Sequence, residues 1–240
     1  MKVAIYVEGI TEAGFVYQCI KEHYQNNWMS FRLECLNLDP ADAANDLRDY
    51  GDATAPDYFL IYDSCSDESV SSDIRDRYEG HRKEGFDKVI GLRDIYSERY
   101  IELFGRKHLV RKEVEVFVKE MRQAVINDEN HELVRLQFAI MEIEAWMLAI
   151  SDVFAQIDNR INAQWLAERV QFDVNADTET TLIHPYAKLL DIYRSISRTY
   201  GKHWSEIKEI MFKLKQKDFD RLYNSGRCNS FKEFMDVLFN

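Results

Sequence analysis

Acidic residues stand at the ends of apolar runs in this 240-residue chain, and their placement suits cation and phosphate chemistry. The segment Val7-Glu8-Gly9-Ile10-Thr11-Glu12 joins a carboxylate at the end of an apolar run to a glycine that lets the chain turn closely and to the start of an amphipathic stretch. A carboxylate beside a helix N-terminus is a place where a divalent cation and a phosphate can be held together. Asp63 and Asp94 close two further apolar runs, and Glu142-Ile143-Glu144 stands where another gives way to a helix. Carboxylates gathered side by side cannot all ionise cheaply, and a divalent cation relieves their repulsion. Mg²⁺, or Mn²⁺ in its place, binds through one or two carboxylates and keeps waters that a phosphodiester oxygen can replace. Two such ions about 4 Å apart can activate a water and stabilise a leaving oxygen, the chemistry of nucleic-acid hydrolysis. The competing readings are ordinary: Glu12 as an acid favoured by the helix dipole, and Glu142 and Glu144 as a solvated helix start.

Lys2–Val7 is apolar, β-branched and too short for a helix, which predicts a buried strand. Phe15, Val16, Cys19, Ile20 and Tyr24 recur at three- and four-residue spacing and predict a helix with Thr11 as its N-cap. Further strands are expected over 31–38, 57–62, 88–92 and 133–140, with helices over about 40–50, 70–84, 98–128 and 142–151. Strands alternating with helices predict an α/β fold with a mostly parallel sheet flanked by helices. Such sheets place their sites at the carboxyl ends of strands, so Glu8, Asp63, Asp94 and Glu142 fall on one edge. Residues two apart on a helix point roughly 200° apart. Glu142 and Glu144 can therefore face one metal only if Glu142 lies in the turn before the helix, which makes Glu142 the better ligand and Glu144 a supporting acid. After residue 151 the strand signal ends and amphipathic helices follow, dividing the chain into an α/β domain (1–150) and a helical C-terminal extension (151–240).

The order apolar strand, Glu8-Gly9-Ile10-Thr11-Glu12, amphipathic helix resembles the opening of the TOPRIM fold, as found in OLD-family nucleases and in a small TOPRIM-like family often encoded beside ATPases. Val89-Ile90-Gly91-Leu92-Arg93-Asp94 is similar to that family's strand ending in its second metal-binding acid, and Glu142-Ile143-Glu144-Ala145-Trp146 is similar to its Glu-x-Glu-Ala segment. The segments His184-Pro185-Tyr186 and Tyr200-Gly201-Lys202 resemble a C-terminal part that returns toward the metal edge, with His184 read as either structural or catalytic. The resemblance implies Glu8, Asp94 and Glu142 as catalytic residues, Glu8, Glu12, Asp94, Glu142 and Glu144 as ligands of Mg²⁺ or Mn²⁺, and cleavage of nucleic acid, DNA before RNA, in anti-phage defence or repair. It also implies a separate ABC- or SMC-like ATPase as partner, since the chain has no GxxxxGK[ST] phosphate loop of its own. One departure stands out: Asp94-Ile95-Tyr96 replaces the family's Asp-x-Asp, so that Glu98 or a water would complete the shell, or Asp63 is the second acid instead. That gap favours an alternative, a non-catalytic TOPRIM-like module that binds a partner protein or a nucleotide. Tyr6 and Tyr96 near the acidic edge leave a covalent, topoisomerase-like route conceivable, but neither length nor architecture supports it.

Composition narrows the remaining classes. With 46% hydrophobic residues, 9 Gly and 3 Pro, and no apolar run long enough to span a bilayer, collagen-like, low-complexity and membrane-spanning readings fall away, and the cytoplasm is the expected compartment. Cys19, Cys35, Cys65 and Cys228 lie far apart without a CxxC pair and read as ordinary thiols. The net charge of −11 is polarised: residues 181–240 carry 11 Lys and Arg against 7 Asp and Glu. An acidic body with a basic tail fits either a metal site with a separate phosphate-binding surface or plain solubility. Lys213, Lys215 and Lys217, with Arg221 and Arg227, could track a nucleic-acid backbone. The alternative is a tail that meets a partner or a second copy of the chain through Trp204, Met211 and Phe212.

Overall fold

The computed structural model describes residues 1–25, 29–35, 55–66, 69–95 and 132–240, and the single positions 116, 120 and 123. Five strands, β1 (Lys2–Val7), β2 (Met29–Cys35), β3 (Asp57–Asp63), β4 (Lys88–Asp94) and β5 (Val134–Ala139), form one sheet in the order β2-β3-β1-β4-β5. Every pairing is parallel. This is the α/β fold that the alternation of strands and helices predicts. The chain passes from β1 to β2 and β3 on one side and then to β4 and β5 on the other. The carboxyl ends of β1 and β4 therefore flank a switch point, where doubly wound sheets hold their ligands.

β1 is apolar along its length because it is covered on both faces. Val3, Ile5 and Val7 face α1 (Ile10–Tyr24), while Ala4 and Tyr6 face α2 (Ser69–Lys83). On the α2 side Tyr6 stacks on Tyr62, its register partner on β3, at 4.6 Å, and its hydroxyl lies 2.6 Å from Nε2 of His81. Gly91 of β4 lets α2 lie close, since a Cβ there would stand 2.7 Å from Leu136 Cδ2 and 2.8 Å from Ile74 Cδ1.

α1 is buried from Thr11 to Ile20, on every side, because the C-terminal helices cover the face it turns away from the sheet. After the short α3 (Glu144–Ala149) and a 3₁₀ turn (Ser151–Gln156) come α4 (Ala163–Val170), α5 (Thr178–Thr181), α6 (Pro185–Ser195), α7 (Trp204–Met211), α8 (Gln216–Asn224) and α9 (Asn229–Phe239). Phe15 of α1 meets Trp146 at 5.7 Å, Phe219 at 5.7 Å and Phe231 at 6.1 Å. One hydrophobic core thus runs without a break from β1 to α9, across the expected boundary at residue 150.

Several expectations change in detail. The N-cap of α1 is Gly9, and Thr11 lies inside the helix. Gly9 has φ −170°, extended backbone open to any residue, so the turn after Glu8 does not need glycine's left-handed freedom. The helix expected over 142–151 is six residues of α3, stopped at Ile150, whose φ −95° and ψ 47° leave the helical region, and then the 3₁₀ turn. Trp204 and Met211 belong to this chain's own core, at 9% and 0% exposure, and Trp204 packs over Gly14. A docking face made of them is therefore not available. Cys19 and Cys228 are buried thiols, and the Cys65 side chain is half-buried. The helix expected over 40–50 lies outside the described residues, as do nearly all of 98–128, Tyr96 and Glu98. Among the described residues no helix is long and apolar enough to cross a membrane.

Candidate functional site

The acids predicted for one edge lie at the carboxyl ends of adjacent strands. Val7 pairs with Asp63 in register, and Asp94 pairs with Ala139, three residues before Glu142. Glu8 leaves β1 toward β4, where its Oε1 accepts the backbone N–H of Asp94 at 3.1 Å and lies 3.4 Å from Nε of Arg93. Asp94 in turn accepts the N–H of Ile143 on Oδ1 at 3.0 Å, which fastens the 140–144 turn to β4. Met141 makes that turn in the left-handed region, at φ 68°, a conformation that non-glycine residues keep only where the surroundings impose it. The turn leaves Glu142 ahead of α3, the position the helix geometry required of it. Its Oε2 accepts the N–H of Tyr186 at 2.7 Å, in the first turn of α6, so a helix N-terminus steadies the carboxylate. The segment at His184 therefore does come back to this edge, but His184 itself is the exposed N-cap residue.

Glu144 has no exposed surface, and its Oε1 lies 2.8 Å from Nζ of Lys202. Among the described residues, its Oε2 has no hydrogen-bond donor. Lys202 comes from the loop between α6 and α7 and holds φ 57°. Oε2 of Glu206 accepts N–H groups on both sides of it, from Gly201 at 2.6 Å and His203 at 3.2 Å. Burial opposes a charge on Lys202, but Glu144, Glu12 and Asp94 outweigh it and hold the ammonium above the ordinary lysine range. The acids respond in the opposite sense. Burial raises Glu12 to about 7, with Lys202 pulling down and Glu144 pushing up. Burial, then Glu144, raises Glu142 to about 7 against the Tyr186 N–H and Lys202. Burial together with Glu12, Glu8 and Glu144 lifts Asp94 well above the usual carboxylate range.

The structure thus brings Glu8, Glu12, Asp94, Glu142 and Glu144 into one electrostatic group. Asp63 touches its margin: its charge acts on Glu12, but its Oδ1 accepts the N–H of Cys65 at 2.9 Å in a local turn. Among the described residues, no three His, Cys, Asp or Glu side chains stand ready to hold a metal ion. An ammonium lies among these acids instead. The donor set nevertheless suits a hard divalent cation, since it is carboxylate oxygen throughout and a buried oxygen of Glu144 lacks a partner among the described residues.

Lys213, Lys215 and Lys217 are not brought to this edge. They straddle the junction of α7 and α8, and Lys215 Nζ pairs with Glu22 Oε1 at 3.2 Å. Glu22 lies ten residues beyond Glu12 along α1, about 15 Å away at the helical rise. Sequence reasoning passed over Glu206 and gave no role of their own to Lys202, Tyr186 and Arg93, although the segments that carry them were singled out. Arg93 stands beside Asp94 at a strand end, Tyr186 and Lys202 lie in the two segments resembling a part that returns to this edge, and Glu206, in α7, carried no signal.

Fold and edge together define an α/β protein with an acidic site at the carboxyl ends of a parallel sheet. Comparisons of the chain with protein-family models, with curated proteins and with solved structures gave no match.

Proposed function

We propose that the chain is a divalent-metal-dependent nuclease of TOPRIM type that hydrolyses phosphodiester bonds, in DNA before RNA. The observation that carries this reading is the convergence of carboxylates from the end of β1, from α1, from the end of β4 and from the 142–144 turn. They gather around the Lys202 ammonium, with a buried oxygen of Glu144 left without a donor among the described residues. Glu12, Asp94 and Glu142, drawn from separate elements and raised by burial and by neighbouring acids, are an expensive arrangement in a protein that never binds a cation there. In this reading Glu8, Asp94 and Glu142 hold the ion, while Glu12 and Glu144 complete its surroundings. Mg²⁺ or Mn²⁺, when bound, supplies an activated water and charge stabilisation of the leaving oxygen. Arg93 braces Glu8, and the α6 N-terminus braces Glu142. Partnership with a separate ATPase and a role in defence or repair belong to the same reading and rest on the motif resemblance.

The test is cleavage of end-labelled DNA and RNA by the full chain in Mg²⁺, Mn²⁺ or chelator. Cleavage should depend on the metal and fall by about 100-fold or more in Glu8→Ala with the fold retained. The second reading, a non-catalytic module that binds a partner protein or a nucleotide, draws on the missing second acid after Asp94 and on the lack of a ready three-ligand group among the described residues. Absence of cleavage in any divalent metal, with and without a neighbouring ATPase, would overturn the nuclease reading and leave this one in its place.

A further inference from the structure

Lys202 reaches the acidic group from a loop, while every acid in that group comes from the sheet, from α1 or from the turn into α3. Its ammonium sits 2.8 Å from a carboxylate with no exposed surface, close enough to Glu12 and Asp94 for both to act on its charge. The backbone that delivers it is left-handed at a non-glycine residue and is pinned by two hydrogen bonds to Glu206. A strained backbone held in place at a single side chain indicates that the position of that side chain matters. Buried carboxylates need a compensating charge whether or not a metal is present, and Lys202 is placed to supply it. A divalent ion seeking the same oxygens meets an occupant. That occupant has a way out: the Lys202 side chain is 38% exposed, and its ammonium lies 5.1 Å from the centre of the Tyr186 ring, a second cation-binding surface nearer the solvent.

We propose that the ammonium of Lys202 is the resident counter-ion of the metal-free site, that it competes with a divalent cation for the carboxylates around Glu144, and that metal entry displaces it toward solvent. The inference rests on the reading of the acidic edge as a metal site. Lys202 is then the device that keeps the empty site folded and sets the metal concentration at which it fills.

The test is Mn²⁺ binding to the full-length wild type, Lys202→Met and Lys202→Arg, measured by calorimetry. Lys202→Met should bind Mn²⁺ about tenfold or more tightly than the wild type, because a positive charge is removed from among the ligands. Lys202→Arg, which keeps the charge, should stay close to the wild type. Equal or weaker binding by Lys202→Met would overturn the competition while leaving the metal site standing. No Mn²⁺ binding by the wild type or either variant would overturn the metal site and this inference together. If Lys202→Met does not fold, acetylation of Lys202 in the wild type decides the matter by peptide mass spectrometry. Labelling should quicken several-fold at saturating Mn²⁺, and an unchanged rate would overturn the displacement.

Discussion

Glu142 is half of a conflict that the fold sustains deliberately: it is buried beside Glu144, and a helix N-terminus and Lys202 offset only part of the cost. Its pKa of about 7, against an ordinary value of 4.5, means that the folded protein binds a proton more tightly than the unfolded chain between those limits. The stabilisation is complete below about pH 4.5 and is lost as pH rises through about 7, by about 3 kcal/mol for Glu142 alone. Glu12 and Asp94 shift in the same direction. Urea unfolding in chelator should therefore show the metal-free protein weakening between pH 5 and pH 8, and Glu142→Gln should flatten that dependence. A slope unchanged in Glu142→Gln would show that the carboxyl is not under this constraint. Mn²⁺ should reverse the trend, since its affinity rises as the same acids lose their protons.

At the scale of elements, β1, β3 and β4 were legible because a strand covered on both faces must be apolar along its length, and each apolar run stops at an acid. Helical geometry set the condition that Glu142 must precede the helix to share a metal with Glu144; the apolar pattern started the helix at 142, and it begins at Glu144. The segment carrying Lys202 was legible only as a resemblance, and the role of its side chain was not. Lys202 owes its role to the 196–203 connection, whose course is set by Glu206 and by left-handed residues at Ser197 and Lys202, neither of which is a glycine that would have announced the turn. Gly91 shows how tightly the elements are joined. In Gly91→Val the added atoms would press on Leu136 and Ile74, so the variant should lose about 1–3 kcal/mol of stability by denaturant titration. A loss below about 0.5 kcal/mol would mean that α2 does not sit this close to the sheet. α2 carries Ser71, whose hydroxyl accepts from Arg93 NH1 at 3.0 Å, so the same change should also loosen the support of Glu8.

For the whole molecule, the division into an acidic body and a basic tail, visible in the charge count, is not a division into separate cores. The helices after residue 150 enclose α1 and carry Lys202 and the Tyr186 N–H back to the acids of the sheet. Lys215 of the α7–α8 junction pairs with Glu22, about 15 Å along α1 from Glu12, or roughly four base steps of a nucleic-acid strand. Replacing Lys213, Lys215 and Lys217 by Gln should weaken duplex binding and flatten its salt dependence by up to about three ionic contacts. Stability should move by less than about 1 kcal/mol, because the Lys215–Glu22 pair is largely exposed on the lysine side. Identical salt slopes for the two proteins would remove this surface from the account. The central claim, that the carboxyl edge is built for a divalent cation, meets its most direct test in a crystal soaked in Mn²⁺ and measured for anomalous scattering. The expected result is a manganese peak among Glu8, Asp94 and Glu142, with Lys202 withdrawn from Glu144; a map without manganese at that edge and with the Lys202 ammonium still in place would contradict it.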